Sequence, residues 1–149
     1  MAFLRNTLVA AGLATLATTL ASFVLGEREC GDVAAPLNAT SHILWGDKAA
    51  EQDGFSAEYT LVGAVLNAGA MAGWAAIQEM VAGRWVRRGS PARAVVAGAA
   101  TSAVAYATDY HLVPERLTPG LEKRLSSGAL AVMYSVLAAS LALGVRRGQ

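Results

Sequence analysis

The feature that most constrains the fold is a set of four long apolar stretches, which fill most of the 149-residue chain. They cover residues 3–25, 60–82, 92–108 and 127–145. An α-helix of about 20 residues crosses a hydrocarbon core that is roughly 30 Å thick. Each stretch is close to that length, so the sequence predicts four helices that cross a membrane.

A soluble helical bundle is the alternative, and the distribution of charge argues against it. Such a bundle carries polar residues along one face of every helix. Here 54% of the residues are hydrophobic and only 15% are charged, and residues 8–24 and 61–77 contain no charged side chain. We therefore expect one all-α integral membrane domain over residues 1–149, folded as a four-helix bundle.

The basic residues predict how the helices are oriented. If the four spans are threaded in order, seven arginines fall on one side: Arg5, Arg84, Arg87, Arg88, Arg93, Arg146 and Arg147. The other side receives the loops 27–59 and 109–126, and the first of these is strongly acidic. Cytoplasmic loops are enriched in Lys and Arg. We therefore expect both termini in the cytoplasm and both loops in the periplasm.

The composition, rich in Ala and Arg, is typical of bacteria, and we expect the inner (cytoplasmic) membrane. The first apolar stretch resembles a signal peptide, but the apolar run continues through residues 23–25, so we expect a retained first span. The net charge of +1 gives no reason to expect nucleic acid as a partner.

Small residues in the apolar stretches predict close helix packing. Small-xxx-small spacing occurs at Gly69 and Gly73, at Gly98 and Ser102, and at Ser140 and Gly144. Without a hydrophobic force between helices in lipid, association depends on close backbone contact at such residues. Gly69 and Gly73 are predicted to lie at a helix contact, either inside the bundle or in a homo-oligomer.

Two polar residues fall inside the second apolar stretch. Asn67 is near its middle and is expected to hydrogen-bond to another helix. Glu79 is near its cytoplasmic end, where pairing with Arg84 is the expected role. Ionisable groups at depth also mark proton relays, but we find no second buried acid or base in the sequence to complete such a path.

The polar chemistry is concentrated in the two predicted periplasmic loops. Residues 36–47 and 109–120 contain both histidines, and we expect short helices and loops there to form an ordered periplasmic cap. A shared pocket is predicted from six residues: His42, Trp45, Asp47, Asp109, Tyr110 and His111. The segment Asn38-Ala39-Thr40 also matches a glycosylation acceptor.

Two histidines with nearby carboxylates are compatible with a bound metal ion or a haem iron. His42 and His111 are the candidate ligands, although their spacing matches no known metal motif. A structural role, with both imidazoles hydrogen-bonded to loop backbone, is the alternative. The sequence shows no nucleophile elbow, phosphate loop or cysteine cluster, so we expect no enzymatic activity and no resident cofactor.

Several of these segments resemble small bacterial inner-membrane proteins of the YagU-like kind. They are Thr60-Leu61-Val62-Gly63, Glu79, residues 106–120, and residues 125–147 with their paired arginines. The resemblance implies a four-span inner-membrane protein with no established catalytic activity. It transfers no functional residue to this chain.

The sequence therefore leaves three functions open. The first is a non-catalytic accessory or scaffold protein that binds lipid, a membrane-protein partner, or further copies of itself in a homo-oligomer. The second is a membrane redox or metal protein that uses the two histidines. The third is a transporter of small solutes.

Overall fold

The computed structural model describes residues 2–147, and within that range it is mostly helical and has no β-strand. Short 3-10 or π-helical turns connect the helices. The α-helices are α1 (Ala2–Cys30), α2 (Ala35–Thr40), α3 (His42–Trp45), α4 (Val62–Arg87), α5 (Pro91–Ala107) and α6 (Ser127–Arg147). The prediction of an all-α fold is confirmed.

Three helical segments are long and apolar enough to cross a membrane, which indicates a membrane protein. They are Ala2–Cys30, Ala57–Arg87 and Ser127–Val145. The second consists of α4 and the π-helical turn Ala57–Leu61 that precedes it. Helix α5 contains all but the last residue of the third apolar stretch, but it is only 17 residues long and is not among the three.

Serine and proline residues lie at the first turns of three helices and favour helix starts there. The Ser56 side chain accepts a hydrogen bond from the Tyr59 backbone N–H at 3.0 Å, ahead of α4. Helix α5 begins at Pro91, a position where the missing N–H of proline costs no hydrogen bond. Ser126 caps α6, since its hydroxyl accepts from the Ala129 N–H at 3.2 Å.

The chain divides into two compact units. The helical unit contains residues up to 18, residues 68–106 and residues from 134 onward. Parts of α1, α4, α5 and α6 meet in its apolar core, where the smallest side chains are alanines. The core residues are Ala10, Ala11, Ala14, Met71, Ala75, Ala105, Leu137 and Leu141.

Two glycines of the helical unit lie at close helix contacts. A Cβ atom at Gly144 would collide with the backbone of Ala10, and one at Gly98 would collide with the Ala138 carbonyl oxygen. Gly144 therefore brings α6 against α1, and Gly98 brings α5 against α6. Both glycines belong to the small-xxx-small patterns, as expected for close packing in lipid.

Gly69 and Gly73 differ from that prediction. Both are exposed, and a Cβ atom at either position would have no neighbour within 4 Å. The faces of α4 that contact other helices of the same chain do not include Gly69 and Gly73. The prediction that this pair packs inside the bundle is wrong.

The second unit contains residues 19–67 and 107–133. Its centre is α2, which is buried over its whole length. A Cβ atom at Gly26 of α1 would lie 2.7 Å from the Pro36 ring, and one at Gly63 of α4 would overlap the Leu37 carbonyl. Both long helices thus approach α2 closely at a glycine.

Candidate functional site

Most of the polar side chains of the second unit belong to the connections between the long helices. We call residues 31–61 and 108–126 the interhelical cluster. Asn38 is its most completely bonded residue, with no exposed surface. Its amide nitrogen donates to the carbonyl oxygens of Gln52 (3.0 Å) and Gly54 (2.9 Å), and its oxygen accepts from the Thr60 hydroxyl (2.6 Å).

This bonding bears on the predicted glycosylation acceptor at Asn38. Transfer of a glycan requires an accessible side-chain nitrogen, whereas here that nitrogen is buried and donates both of its hydrogens. In the folded protein Asn38 is therefore a structural residue.

Three basic residues of the second connection bind the first connection. Arg116 donates to the carbonyl oxygens of Ile43 (2.9 Å) and Leu44 (3.1 Å) near the end of α3. Lys123 pairs with Asp47 at 3.0 Å. Arg124 pairs with Asp53 at 2.6 Å and donates to the Ala50 carbonyl oxygen at 2.8 Å. These bonds hold the two connections together.

The Asp47–Lys123 pair also sets the local charge states. The hydrogen bond from Lys123, together with its positive charge, lowers the pKa of the Asp47 carboxyl. The hydrogen bond to Asp47 raises the pKa of Lys123, against the opposing effect of burial. Both groups are therefore charged at neutral pH, and the pair is retained between acidic and strongly basic conditions.

His42 is buried, with only 2% of its surface exposed. Its Nδ1 atom lies 3.0 Å from the Ala39 carbonyl oxygen, and its Nε2 atom lies 3.3 Å from the Glu115 carbonyl oxygen. Neither ring nitrogen faces open space. A metal ion or haem iron at His42 would have to displace one of these carbonyl oxygens from its ring nitrogen, so the geometry matches the structural role rather than the predicted ligand role.

The other five predicted pocket residues lie in both connections of the second unit. The Trp45 indole donates to the Glu58 carbonyl oxygen at 2.8 Å, and the Asp47 side chain is 86% exposed apart from its bond to Lys123. Asp109, Tyr110 and His111 lie in the π-helical turn Thr108–Leu112, where His111 is exposed. Within residues 2–147, no group of three or more His, Cys, Asp and Glu side chains is placed to hold a metal ion.

A groove of about 470 Å³ opens elsewhere on this unit, and its lining is apolar. Its large apolar lining residues are Phe23, Leu37, Phe55 and Leu61. The Phe23 and Phe55 rings meet edge to face, with centroids 5.7 Å apart, and Phe55 is still 68% exposed. None of the six residues predicted for a shared pocket lines this groove.

The helical unit contains a buried polar group around Glu79, which is 6% exposed. Its carboxylate forms an ion pair with Arg87 and accepts from the Asn6 amide at 3.1 Å. The expected partner was Arg84. Arg87 replaces it because Gly83, one turn after Glu79, leaves room for the two side chains to meet: a Cβ atom there would lie 2.9 Å from the Arg87 guanidinium.

Asn6 was not identified from the sequence. Its position, an amide side chain near the start of an apolar helix, is the feature that could have indicated a buried hydrogen bond. Gln78, the neighbour of Glu79, was also missed. It is 2% exposed and donates to the Leu141 carbonyl oxygen at 3.1 Å. These residues join α4 to α1 and α6 through hydrogen bonds, which argues for a structural role of Glu79 over a proton relay.

Asn67 lies in the second unit and donates to the Thr19 hydroxyl of α1 at 3.3 Å. The predicted hydrogen bond to another helix is thereby confirmed. Ser102, in the helical unit, donates to the Tyr134 carbonyl oxygen of α6 at 2.6 Å. Polar side chains in the long helices thus connect neighbouring helices.

Comparison of the chain with protein-family models, with curated proteins and with solved structures finds no match.

Proposed function

We propose that this chain is a non-catalytic accessory or scaffold protein of the bacterial inner membrane that binds lipid or a membrane partner. In this proposal α1, α4, α5 and α6 form a four-span bundle. Helix α5 has 17 residues and is about 25 Å long at 1.5 Å per residue, which is at the short end of the range for a span.

The orientation is part of the same proposal. Arg84, in the last turn of α4, Arg88, in the link, and Arg93, in the first turn of α5, lie at one end of these helices. Most acidic residues belong to the interhelical cluster. The excess of basic residues in cytoplasmic loops favours a cytoplasmic link and a periplasmic cluster, with both termini in the cytoplasm. The YagU-like resemblance agrees with this arrangement.

The observation that carries the binding function is the groove at Phe23 and Phe55. Polar side chains of the interhelical cluster contact backbone carbonyl oxygens within the cluster, as described for Asn38, His42 and Arg116. The groove instead presents apolar surface with Phe55 and Leu61 more than half exposed. Exposed apolar surface of this kind marks a contact with lipid or with another protein.

Photo-crosslinking in intact membranes tests the proposal. A benzophenone amino acid replaces Phe55, and in a control protein it replaces Leu20, an exposed residue of α1 that does not line the groove. We expect a specific adduct at position 55 in clear excess over position 20. The adduct mass distinguishes a lipid from a protein. Equal yields at both positions would show only the general contact with bulk lipid and would contradict the proposal.

A further inference from the structure

We propose that the helical unit binds one anionic phospholipid between α4 and α5. One acyl chain occupies an apolar groove between these helices, and the headgroup phosphate lies on Arg84 and Arg88. This site uses different residues from the groove at Phe55, so either proposal can fail while the other holds. It rests on the proposed membrane location of the helices.

The groove has a volume of about 370 Å³ and an almost wholly apolar lining. Trp74, Ile77, Val81 and Trp85 line it from α4 at spacings of three or four residues, which place them on one helix face. Val96 and Val104 line it from α5. From residue 74 to residue 85 the helix rises about 16 Å, close to the depth of one leaflet, half of a core roughly 30 Å thick.

Basic residues continue the same face of α4 beyond the groove. Arg84 follows Val81 by three positions, and Arg88 follows Trp85 by three, so helical register places both arginines on the groove side. The Arg88 N–H still bonds to the Arg84 carbonyl oxygen at 3.3 Å, which extends that register past the last residue of α4.

These two arginines are available for an anion. In the part of the chain with described side chains, neither forms an ion pair, and the nearby carboxylate of Glu79 is bound to Arg87. Both are exposed. Two unpaired guanidinium groups one turn apart attract a phosphate group and bind it with paired hydrogen bonds.

Trp85 defines the end of the groove nearest these arginines. The Arg93 guanidinium lies 5.2 Å from the centre of its ring and donates to its carbonyl oxygen at 3.1 Å. Tryptophan is enriched at the membrane–water interface. The apolar groove is about as deep as one leaflet and therefore fits an acyl chain. Trp85 and the two arginines lie at its end, where the headgroup of the same phospholipid would be. Basic pockets between membrane helices bind anionic headgroups.

Native mass spectrometry of the delipidated full-length protein tests this site with two lipids of identical acyl chains, phosphatidylglycerol and phosphatidylcholine. We expect phosphatidylglycerol to bind at least tenfold more tightly. The double variant Arg84→Gln/Arg88→Gln is expected to lose roughly tenfold to thirtyfold in that affinity. The charge-matched control is Arg28→Gln/Lys48→Gln, two exposed basic residues of the second unit, and it should stay within about twofold of the wild type.

The acyl-chain part is tested by filling the groove. Ala100 lines it and Ala99 does not, although both are exposed. Ala100→Phe is expected to weaken phosphatidylglycerol binding about tenfold by steric exclusion, and Ala99→Phe to leave it unchanged. Equal binding of the two lipids, an equal loss in the charge-matched control, or no effect of Ala100→Phe would overturn the proposal. Displacement of the lipid by millimolar inorganic phosphate would assign the site to free phosphate instead.

Discussion

Replacing Asn38 with alanine is expected to lower the free energy of unfolding by about 3 kcal/mol. The substitution removes the two donors that the amide gives to the Gln52 and Gly54 carbonyls and the oxygen that accepts from Thr60. All three bonds are lost together, and the buried Thr60 hydroxyl loses its acceptor. Reversible unfolding in mixed detergent micelles, followed by circular dichroism, measures the change.

Asn67→Ala is the matched control for this prediction. It removes the same side chain from a partly buried position, where the amide donates to Thr19 at 3.3 Å. We expect a loss of about 1 kcal/mol or less. If the two variants have the same free energy of unfolding, the Asn38 hydrogen bonds do not stabilise the interhelical cluster more than the Asn67 bond stabilises its helices.

Replacing Gly144 with leucine is expected to destabilise the protein by at least about 3 kcal/mol, the upper part of the range for overpacking. The new side chain would meet the Ala10 backbone, with the first added carbon only 2.7 Å from the Ala10 Cβ atom. Backbone cannot move aside as a flexible side chain can, so α1 and α6 must separate. The unfolding assay used for Asn38 measures the loss.

Gly73→Leu is the control for Gly144→Leu. It tests whether the loss of stability requires a close helix contact at the glycine or follows from replacing any glycine of the small-xxx-small patterns. Gly73 is exposed and has open space around its missing side chain, so its leucine variant should retain the wild-type stability of the monomer. A loss comparable with that of Gly144→Leu would mean that α4 packs through Gly73 after all. A change in oligomeric state alone would place Gly73 between copies of the chain.

The helical class of this protein is readable from its sequence because it depends on local properties. The length and apolar character of α1, α4 and α6 determine that they are helices able to cross a membrane. The caps at Ser56 and Pro91 are equally local, since they depend on one side chain or one missing N–H. Neither feature depends on the positions of the other helices.

The local sequence does not predict which glycines face another helix. Gly73 and Gly144 occur in similar small-residue patterns, yet only Gly144 faces another helix. The deciding quantity is the rotation of each helix about its axis, which depends on packing with partners distant in sequence. The weak amphipathicity of Ala-rich helices gives the sequence little information about that rotation.

The polar residues show the same limit. Glu79 was noticeable as a charge in an apolar stretch, but its bond to Asn6 joins residues 73 positions apart. His42 looked like a ligand because it is a histidine in a polar loop, whereas the carbonyl oxygens of Ala39 and Glu115 surround its ring. Backbone acceptors of this kind have no sequence signature.

The central proposal is a four-span protein with its interhelical cluster in the periplasm and the turn between α4 and α5 in the cytoplasm. Single cysteines at Lys48, Glu122 and Arg88, in a Cys30→Ser background, test it with a membrane-impermeant thiol reagent applied to intact cells with a permeabilised outer membrane. We expect labelling at positions 48 and 122, and labelling at position 88 only after the inner membrane is disrupted. Labelling of position 88 in intact cells, or of all three positions alike, would contradict it.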